Sequence, residues 1–320
     1  MRKNLAVLLI LAVSSSQLMS LPVSNVSNST ITNQNDGVAN IAIGGGKANS
    51  GIDAQGAEIK NSSINNSNTA VVNTAIGAGK ANSGINAQNA EINNSTINNS
   101  NKAVVNTAIG GGKANSGIDA QNAEIKNSTI NNANIGAVNT VIGGGKANSG
   151  VDAQNAEIKN STINNANIGA VNTVIGGGKS NSGVDAQNAE IKNSRINNVN
   201  IGVANTVVGG GKANSGIDAQ NAEIKNSTIN NANAGVVNTV IGGGKANSGI
   251  DVENASVKNA TLNNVNTGVV NTAIAGGKVN TGINLKNANV SNTAITNVQG
   301  GTVNTAIGGA SLNSSIDLGN

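Results

Sequence analysis

A repeat of 33 residues runs through this chain of 320 residues without insertion or deletion. The period is marked by a lysine that follows a glycine run and returns at a constant spacing, at Lys47, Lys80, Lys113, Lys146, Lys179, Lys212, Lys245 and Lys278. The repeat frame extends backward to Val26 and forward to Leu318. A fixed period of this length is typical of an architecture in which each repeat stacks on its neighbour.

Four positions of the repeat are almost always asparagine, and they form the columns that begin at Asn40, Asn49, Asn61 and Asn66. When identical amides stack one rung above another, each carbonyl can accept a hydrogen bond from its neighbour, as in the Asn ladders of cross-β structures. Asparagine and glycine also adopt left-handed backbone conformations. We therefore expect the ladders at corners, together with glycines such as Gly44 and Gly51.

Apolar columns lie between the asparagines, and in one repeat they are Ile85, Ile92, Ile97, Val104 and Ile109. Their residues are mostly β-branched, and in a later repeat Ile158 and Ile163 are five positions apart, which is not a helical spacing. No repeat contains proline, so nothing interrupts a hydrogen-bond ladder. The sequence predicts an all-β fold, a parallel β-solenoid of about nine repeats over residues 25–320.

The number of coils in each repeat can be judged from the lysine columns. One coil per repeat would stack lysines about 4.8 Å apart, whereas two coils would separate them by about 10 Å. The segment Asn73-Thr-Ala-Ile76 also resembles Asn89-Ala-Glu-Ile92 after a shift of sixteen positions. We therefore favour two coils, of sixteen and seventeen residues, in each repeat.

The N-terminus has the layout of a secretory signal peptide over residues 1–24. Arg2 and Lys3 precede an apolar run from Leu5 to Val13, and small polar residues follow. The run is shorter than the roughly 20 residues of a membrane span, and no later segment is apolar enough to span a bilayer. The sequence predicts a secreted protein, extracellular or at the cell surface.

The composition excludes several classes of chemistry, because the chain has no histidine, no cysteine and no aromatic residue. Zinc sites, cysteine nucleophiles, Ser-His-Asp triads and disulfides all need side chains that are missing. The net charge of +4 is spread along the chain, and stacking platforms for nucleic acid are absent. We expect no enzyme activity, no catalytic, cofactor-binding or metal-binding residues, no cofactor and no nucleic-acid partner.

Three motifs suggest chemistry but do not meet its requirements. Gly178-Lys179-Ser180 ends like a phosphate-binding loop, yet Thr173 stands where the first glycine should be. The Asp53 and Asp119 column does not fit the spacing of calcium-binding nonapeptides. Asp152 and Glu157 form a carboxylate pair, but the pair recurs in several repeats and lacks the unlike environments of a catalytic dyad. We expect lysines in solvated turns and carboxylates on a solvated face.

One column carries the triplets Asn61-Ser-Ser63, Asn94-Ser-Thr96, Asn127-Ser-Thr129, Asn160-Ser-Thr162 and Asn226-Ser-Thr228. These triplets match the acceptor pattern for N-glycosylation. The alternative is a ladder of amides and hydroxyls, which we favour because short sequons arise easily in an Asn-rich sequence.

The segment Asn106-Thr-Ala-Ile-Gly110, followed by Gly-Gly-Lys-Ala, resembles the repeats in the β-roll heads of trimeric autotransporter adhesins. A signal peptide followed by imperfect Gly-, Asn- and Gln-bearing repeats is also similar to the curli-like secreted fibre subunits. Both resemblances imply a role at a bacterial surface.

Two functions fit these observations. The first is a structural subunit that associates with itself, end to end, into an extracellular fibre, sheath or biofilm matrix, because a solenoid exposes edge strands at its ends. The alternative is a surface adhesin or ligand-binding solenoid, ice binding included, that meets a cell-surface or matrix partner through one flat face. The column of Thr74 is the candidate face.

Overall fold

A computed structural model describes residues 25–44, 47–77, 79–110, 112–308 and 311–317. The predicted signal peptide, residues 1–24, lies outside the described residues. Within the described ranges the chain consists of short β-strands joined by corners. No helix in this part is long and apolar enough to cross a membrane.

The strands form five parallel sheets of nine strands each, and one strand from every sheet makes one coil. Sheet 1 contains Asn25–Ser27, Glu58–Lys60, Glu91–Asn93, Glu124–Lys126, Glu157–Lys159, Glu190–Lys192, Glu223–Lys225, Ser256–Lys258 and Asn289–Ser291. Sheet 2 contains Thr30–Asp36, Ser63–Thr69, Thr96–Lys102, Thr129–Ile135, Thr162–Ile168, Arg195–Ile201, Thr228–Ala234, Thr261–Thr267 and Ala294–Gly300. Sheet 3 contains Ala39–Ile43, Val72–Ile76, Val105–Ile109, Val138–Ile142, Val171–Ile175, Ala204–Val208, Val237–Ile241, Val270–Ile274 and Val303–Ile307.

Two shorter sheets complete each coil. Sheet 4 contains Lys47–Asn49, Lys80–Asn82, Gly112–Asn115, Gly145–Asn148, Gly178–Asn181, Gly211–Asn214, Gly244–Asn247, Gly277–Asn280 and Ser311–Asn313. Sheet 5 contains Ile52–Asp53, Ile85–Asn86, Ile118–Asp119, Val151–Asp152, Val184–Asp185, Ile217–Asp218, Ile250–Asp251, Ile283–Asn284 and Ile316–Asp317. The chain is a parallel β-solenoid, as the sequence predicts.

Each repeat makes one coil, so the preference for two coils is wrong. Every strand pairs with the strand one full repeat away, and Thr140, for example, is in register with Thr107 and Thr173. The lysine columns do stack on neighbouring rungs. Their repulsion is offset because most of the stacked lysines have a carboxylate partner, as in the ion pair between Lys146 and Asp152 at 2.8 Å.

The weak echo between half-repeats does not reflect stacking. Asn73 and Ile76 lie on sheet 3, whereas Asn89 is at a corner with φ 55° and Ile92 is on sheet 1. The two segments therefore occupy different sides of the same coil.

The interior has an apolar part and a polar part. The larger apolar cluster joins sheets 5 and 1 to the start of sheet 2, with Ile85, Ile92 and Ile97 as the members from one coil. A second apolar column joins sheet 3 to sheet 4 through residues such as Val141 and Ala147. Between these clusters the interior is filled by asparagine and serine side chains.

Three of the four asparagine columns lie away from the corners at which we expected them. The columns of Asn40 and Asn66 point into the interior from sheets 3 and 2, and Asn73 and Asn99 of those columns are almost fully buried. The column of Asn49 ends sheet 4. Only the Asn61 column among these four forms a corner, where Asn61 has φ 49°. Asparagine is thus a core residue in this solenoid.

Glycine shapes the corners in two ways. The corner after sheet 3 needs positive φ, which Gly143 (101°) and Gly144 (85°) supply. The corner between sheets 4 and 5 needs a residue without a side chain instead, because successive coils approach each other closely there. A Cβ on Gly183 would lie 1.9 Å from the carbonyl oxygen of Gly216 in the next coil. The expectation of positive φ at Gly51 is therefore wrong, since its column allows close approach between coils.

Candidate interaction surfaces

The buried asparagines form a continuous hydrogen-bonded core, which fixes the register of all the surfaces described below. The Asn172 amide Nδ2 donates to Ser182 Oγ at 2.7 Å and to Asn205 Oδ1 in the next coil at 3.0 Å. Its Oδ1 accepts from Asn139 Nδ2 at 2.8 Å and from Ser149 Oγ at 2.9 Å. Buried amides are stable when all their polar atoms are paired in this way.

This ladder has a direction. In the interior of sheet 2, each Nδ2 donates to the Oδ1 of the following coil, from Asn33 to Asn66 at 2.7 Å in the first coil and from Asn264 to Asn297 at 2.7 Å in the last. The first coil therefore presents acceptor oxygens outward, and the last coil presents the donor end of the same column.

The first coil contains an acceptor that the ladder leaves unfilled. Asn35 is only 3% exposed, and its Nδ2 donates to Asn68 Oδ1 at 2.7 Å. The Oδ1 of Asn35 is buried and receives no hydrogen bond from the described residues. In the next coil, the corresponding oxygen of Asn68 is occupied by that Asn35 donor. A buried unpaired oxygen is unfavourable. Oxygens of Asn86, Asn93, Asp119 and Asp152 in inner coils also lack a partner, but the oxygen of Asn35 lies at the end of a ladder, where one more donor could stack.

Within the described ranges, the interior is less well covered at both ends than in the middle. Ile31 in the first coil and Ile295 in the last are partly buried, whereas Ile163 of the same column in the middle of the solenoid is fully buried. The end coils thus expose apolar groups together with unpaired ladder positions. We call these two surfaces the first-coil end and the last-coil end.

The outward face of sheet 3 is the second notable surface, and it contains the Thr74 column that the sequence indicated. In eight of the nine coils a threonine lies between two apolar residues, and the three outward residues of the fifth coil are Val171, Thr173 and Ile175. Val171 is 37% exposed and Ile175 is 43% exposed. The first coil has Ala39, Ile41 and Ile43 instead. We call this surface the sheet 3 face.

The sheet 3 face carries no charged residue in any of its nine strands. The apolar column of Ile109, which the sequence groups with the other apolar columns, lies on this face with a 36% exposed side chain. Sequence alone does not separate it from the interior columns, because valine and isoleucine occupy both faces of the strand. The alternation with Asn106 and Ala108, both fully buried, assigns the faces.

Charged residues are concentrated on sheets 1, 4 and 5, where lysines and carboxylates face one another. On sheet 1, Lys159 contacts Glu157 at 2.5 Å and Glu190 of the next coil at 3.7 Å. Between sheets 4 and 5, Lys113 Nζ lies 2.8 Å from Asp119 Oδ2. These lysines therefore lie in ion pairs on strands. The expectation of a solvated turn is wrong for Lys179 too, which lies on a strand and pairs with Asp185 at 3.1 Å.

The aspartate column is also more buried than a solvated face would be. The Asp152 side chain is 7% exposed, and Gln121 Nε2 donates to its Oδ2 at 2.8 Å. Glu157 is 35% exposed and is paired with Lys159 on sheet 1. The structure gives the two carboxylates of the proposed pair separate lysine partners, so it does not bring them together as a dyad.

Burial and neighbouring charges shift the pKa values of lysines on sheet 4. Burial lowers the pKa of Lys212 to about 7, and this lysine pairs with Asp218. In the second coil, Asn86 replaces the aspartate, and burial together with the neighbouring lysines lowers the pKa of Lys80. Among the described residues, no group of three or more acidic, histidine or cysteine side chains could hold a metal ion.

The sequon column forms a ladder at the corner between sheets 1 and 2. Asn160 Nδ2 donates to Asn127 Oδ1 at 3.2 Å, and both residues have positive φ. The following serine points inward, where Ser161 Oγ donates to the carbonyl oxygen of Lys159 at 2.7 Å. The amide and hydroxyl ladder is thus present, whereas glycosylation of this column stays a prediction.

No family model matches the chain, and no curated protein matches it in sequence. Among solved structures it is similar to HetL, a pentapeptide repeat protein involved in heterocyst differentiation regulation from the cyanobacterium Nostoc sp. strain PCC 7120. That match has 10% identity, covers 88% of each chain and has a TM-score of 0.26. A match to the Streptococcus pneumoniae surface protein and adhesin PfbA has 9% identity, covers 79% of this chain and 91% of that one, and has a TM-score of 0.12. Neither likeness carries an argument at these TM-scores, and the fold follows from this chain's own strand pairing.

Proposed function

We propose that this chain is a secreted, non-catalytic structural subunit that polymerises end to end into an extracellular fibre, sheath or matrix. Secretion is supported by Arg2, Lys3 and the apolar run from Leu5 to Val13. Polymerisation is supported by the geometry of the two ends. The resemblance to autotransporter heads and curli-like subunits agrees with a role outside the cell.

The observation that carries this proposal is the unfilled buried oxygen of Asn35 in the first coil. Its column ends in the last coil at Gln299, whose side-chain amide can donate a hydrogen bond. If the last coil of one copy stacks on the first coil of the next, the Gln299 amide reaches the rung adjacent to Asn35. Its Nε2 contacts Asn297 Oδ1 at 3.4 Å within its own coil, and its second N–H would be available to the unfilled oxygen of Asn35.

The other interior columns continue across the same junction with the same residue type on both sides. Residues of the last coil would stack on their equivalents in the first coil as Val290 on Val26, Ile295 on Ile31, Asn297 on Asn33, Asn304 on Asn40 and Ile316 on Ile52. Stacked identical columns are also what holds successive coils together inside the chain. The junction would thus reproduce an ordinary contact between coils.

The direction of the asparagine ladder determines the polarity of assembly. In the interior of sheet 2, donors leave the last coil and acceptors face outward from the first. The sheet 4 ladder runs the opposite way, from Asn82 to Asn49, so each column meets its complement when copies join head to tail. A head-to-tail contact uses two different surfaces. Because the copies would stack along the solenoid axis, the contact does not close into a ring, and it therefore generates a filament of open length.

A charge swap at the junction tests the proposal. In the full chain, Asn33→Asp combined with Asn297→Asp places like charges on adjacent rungs between copies, and we expect no filaments by negative-stain electron microscopy. Asn33→Asp combined with Asn297→Lys places opposite charges there and should retain filaments. Both variants share the change at Asn33 and differ at position 297, where lysine also removes the acceptor of Asn264 Nδ2, so filaments retained by the lysine variant would form despite that loss. Equal filament formation by the two variants, or its absence in the unmodified chain at every concentration, would contradict end-to-end stacking.

Secretion is tested on the same preparation. The full chain is expressed with residues 1–24 in a bacterial host, and the mass and N-terminal sequence of the exported product are determined. We expect removal of the first 20 to 24 residues, with Arg2→Glu plus Lys3→Glu reducing export. An uncleaved chain retained in the cytoplasm would contradict the signal peptide.

A further inference from the structure

The sheet 3 face is an exposed apolar surface that end-to-end stacking leaves uncovered. Each of its outward side chains is a valine, an isoleucine, an alanine or a threonine. The apolar surface continues past the corner into sheet 2, where Ile135, Ile168 and Ile201 are nearly half exposed. Soluble proteins rarely expose a continuous apolar patch of this kind without a binding function.

The size of the face matches that of a specific protein interface. Nine strands about 4.8 Å apart extend about 43 Å along the solenoid axis, and five residues at about 3.3 Å each extend about 16 Å across it. One face therefore covers about 700 Å², and two such faces together would bury about 1,400 Å², which lies within the range of stable protein complexes.

Charge also separates this face from the rest of the solenoid. The ionic columns lie on sheets 1, 4 and 5, as in the pairs of Lys159 with Glu157 and of Lys146 with Asp152. Sheet 2 has the charged residues Asp36, Lys102 and Arg195 on its outward side. A partner that is itself uncharged, and that repeats at the spacing of the coils, would complement the sheet 3 face.

We propose that the partner is a second copy of this chain, packed against the sheet 3 face through its own sheet 3 face. A two-fold axis parallel to the solenoid axis would place the Val171 column of one copy opposite the Ile175 column of the other. The smaller side chains would then face the larger ones, and the Thr173 columns would meet at the centre. Because both copies repeat at the same spacing, coil would face coil along the whole surface.

This pairing is independent of the end-to-end contact, since it uses neither the first-coil end nor the last-coil end. Both solenoids would point in the same direction, so a laterally paired unit could still extend at its ends. The pairing would make each filament from two solenoids with their charged sheets outside.

The test uses the full chain carrying Asn33→Asp and Asn297→Asp, in which stacking is disfavoured, and measures its mass by analytical ultracentrifugation. We expect a dimer. Adding Thr140→Lys and Thr206→Lys to the sheet 3 face should raise the dimer dissociation constant at least about 100-fold, because lysines would be buried without partners. The matched control adds Thr129→Lys and Thr261→Lys to the outward column of sheet 2.

That control column already contains Arg195 and therefore tolerates a long cation. The four threonines of the two variants are all partly exposed at outward strand positions. The control should dimerise like its background. A monomeric background at all concentrations would overturn the pairing and leave the face to a different ligand, and equal weakening by both lysine pairs would also overturn it. Failure of filaments in the unmodified chain would contradict stacking but not this pairing.

Discussion

At the scale of single residues, the buried asparagine amide replaces part of the apolar core. Asn172 has no exposed surface, and each of its polar atoms is paired within its own coil or with a neighbouring coil. A side chain with both donor and acceptor groups can repeat this pairing on every rung, which valine or leucine cannot do. The asparagine columns therefore fix the stacking of the coils as well as filling space.

Replacing one buried amide by an isosteric carboxylate tests this role. Asn172→Asp keeps the shape but turns the donor Nδ2 into an acceptor oxygen facing the Asn181 carbonyl oxygen and Asn205 Oδ1. We expect the free energy of unfolding to fall by about 3 kcal/mol or more, since a charged group is buried against acceptors. Chemical denaturation followed by circular dichroism measures the loss.

The matched control is Asn164→Asp on the outward face of sheet 2. Asn164 also belongs to an asparagine ladder, and its Nδ2 donates to Asn131 Oδ1 at 2.8 Å, but it is partly exposed. Water can solvate the new carboxylate there, so the cost should be about 1 kcal/mol. Equal losses for the two variants would show that burial of the Asn172 ladder adds nothing to stability.

At the scale of strands and corners, the backbone separation between coils is limited by glycine. The corner between sheets 4 and 5 brings successive carbonyl groups so close that a side chain cannot fit at Gly183. The corner between sheets 2 and 3 is different. Gly169 has φ 61° but no atom near the position of a Cβ, and Ala70 and Ala103 occupy the same column in earlier coils with φ 52° and 51°.

Replacement by alanine should therefore destabilise the fold much more at Gly183 than at Gly169. Gly183→Ala should destabilise the fold by roughly 3 kcal/mol or more, because adjacent coils must separate and lose ladder hydrogen bonds. Gly169→Ala should cost only about 1 to 2 kcal/mol, the penalty of a left-handed alanine. Thermal unfolding of both variants measures the difference. A Gly183→Ala chain as stable as the Gly169→Ala chain would rule out the close coil contact.

How far the sequence predicts this fold can be seen from particular columns. The constant spacing of Lys113, Lys146 and their equivalents predicts a parallel solenoid, because each rung must repeat the last. The number of coils per repeat was missed, since it depends on the Lys146–Asp152 pair six residues apart, which cancels the repulsion between stacked lysines. The interior position of Asn99 was missed because polar residues are usually placed at the surface.

The candidate surfaces were predicted only in part. The open ends and the Thr74 column follow from the repeat frame itself. The apolar residues beside that column, such as Ile175, could be assigned to the surface only from strand alternation, because the interior columns contain the same residue types. The unfilled oxygen of Asn35 has no sequence signal, since Asn35 is the same residue as its equivalents in the next seven coils.

At the scale of the whole molecule, the solenoid has three chemically distinct kinds of surface. The two ends carry interrupted ladders, sheets 1, 4 and 5 carry the ion pairs, and the sheet 3 face is apolar and uncharged. Growth at the ends and pairing through the sheet 3 face would together cover the exposed apolar groups, leaving the ionic columns in water.

The measurement that tests this account most directly is the axial repeat of the filament, determined by cryo-electron microscopy of the exported chain. One coil per repeat and head-to-tail stacking of nine coils predict strands about 4.8 Å apart and an axial rise of about 43 Å per subunit. An axial rise near twice that value would contradict one coil per repeat. A break in the strand spacing at each subunit boundary would contradict continuous stacking.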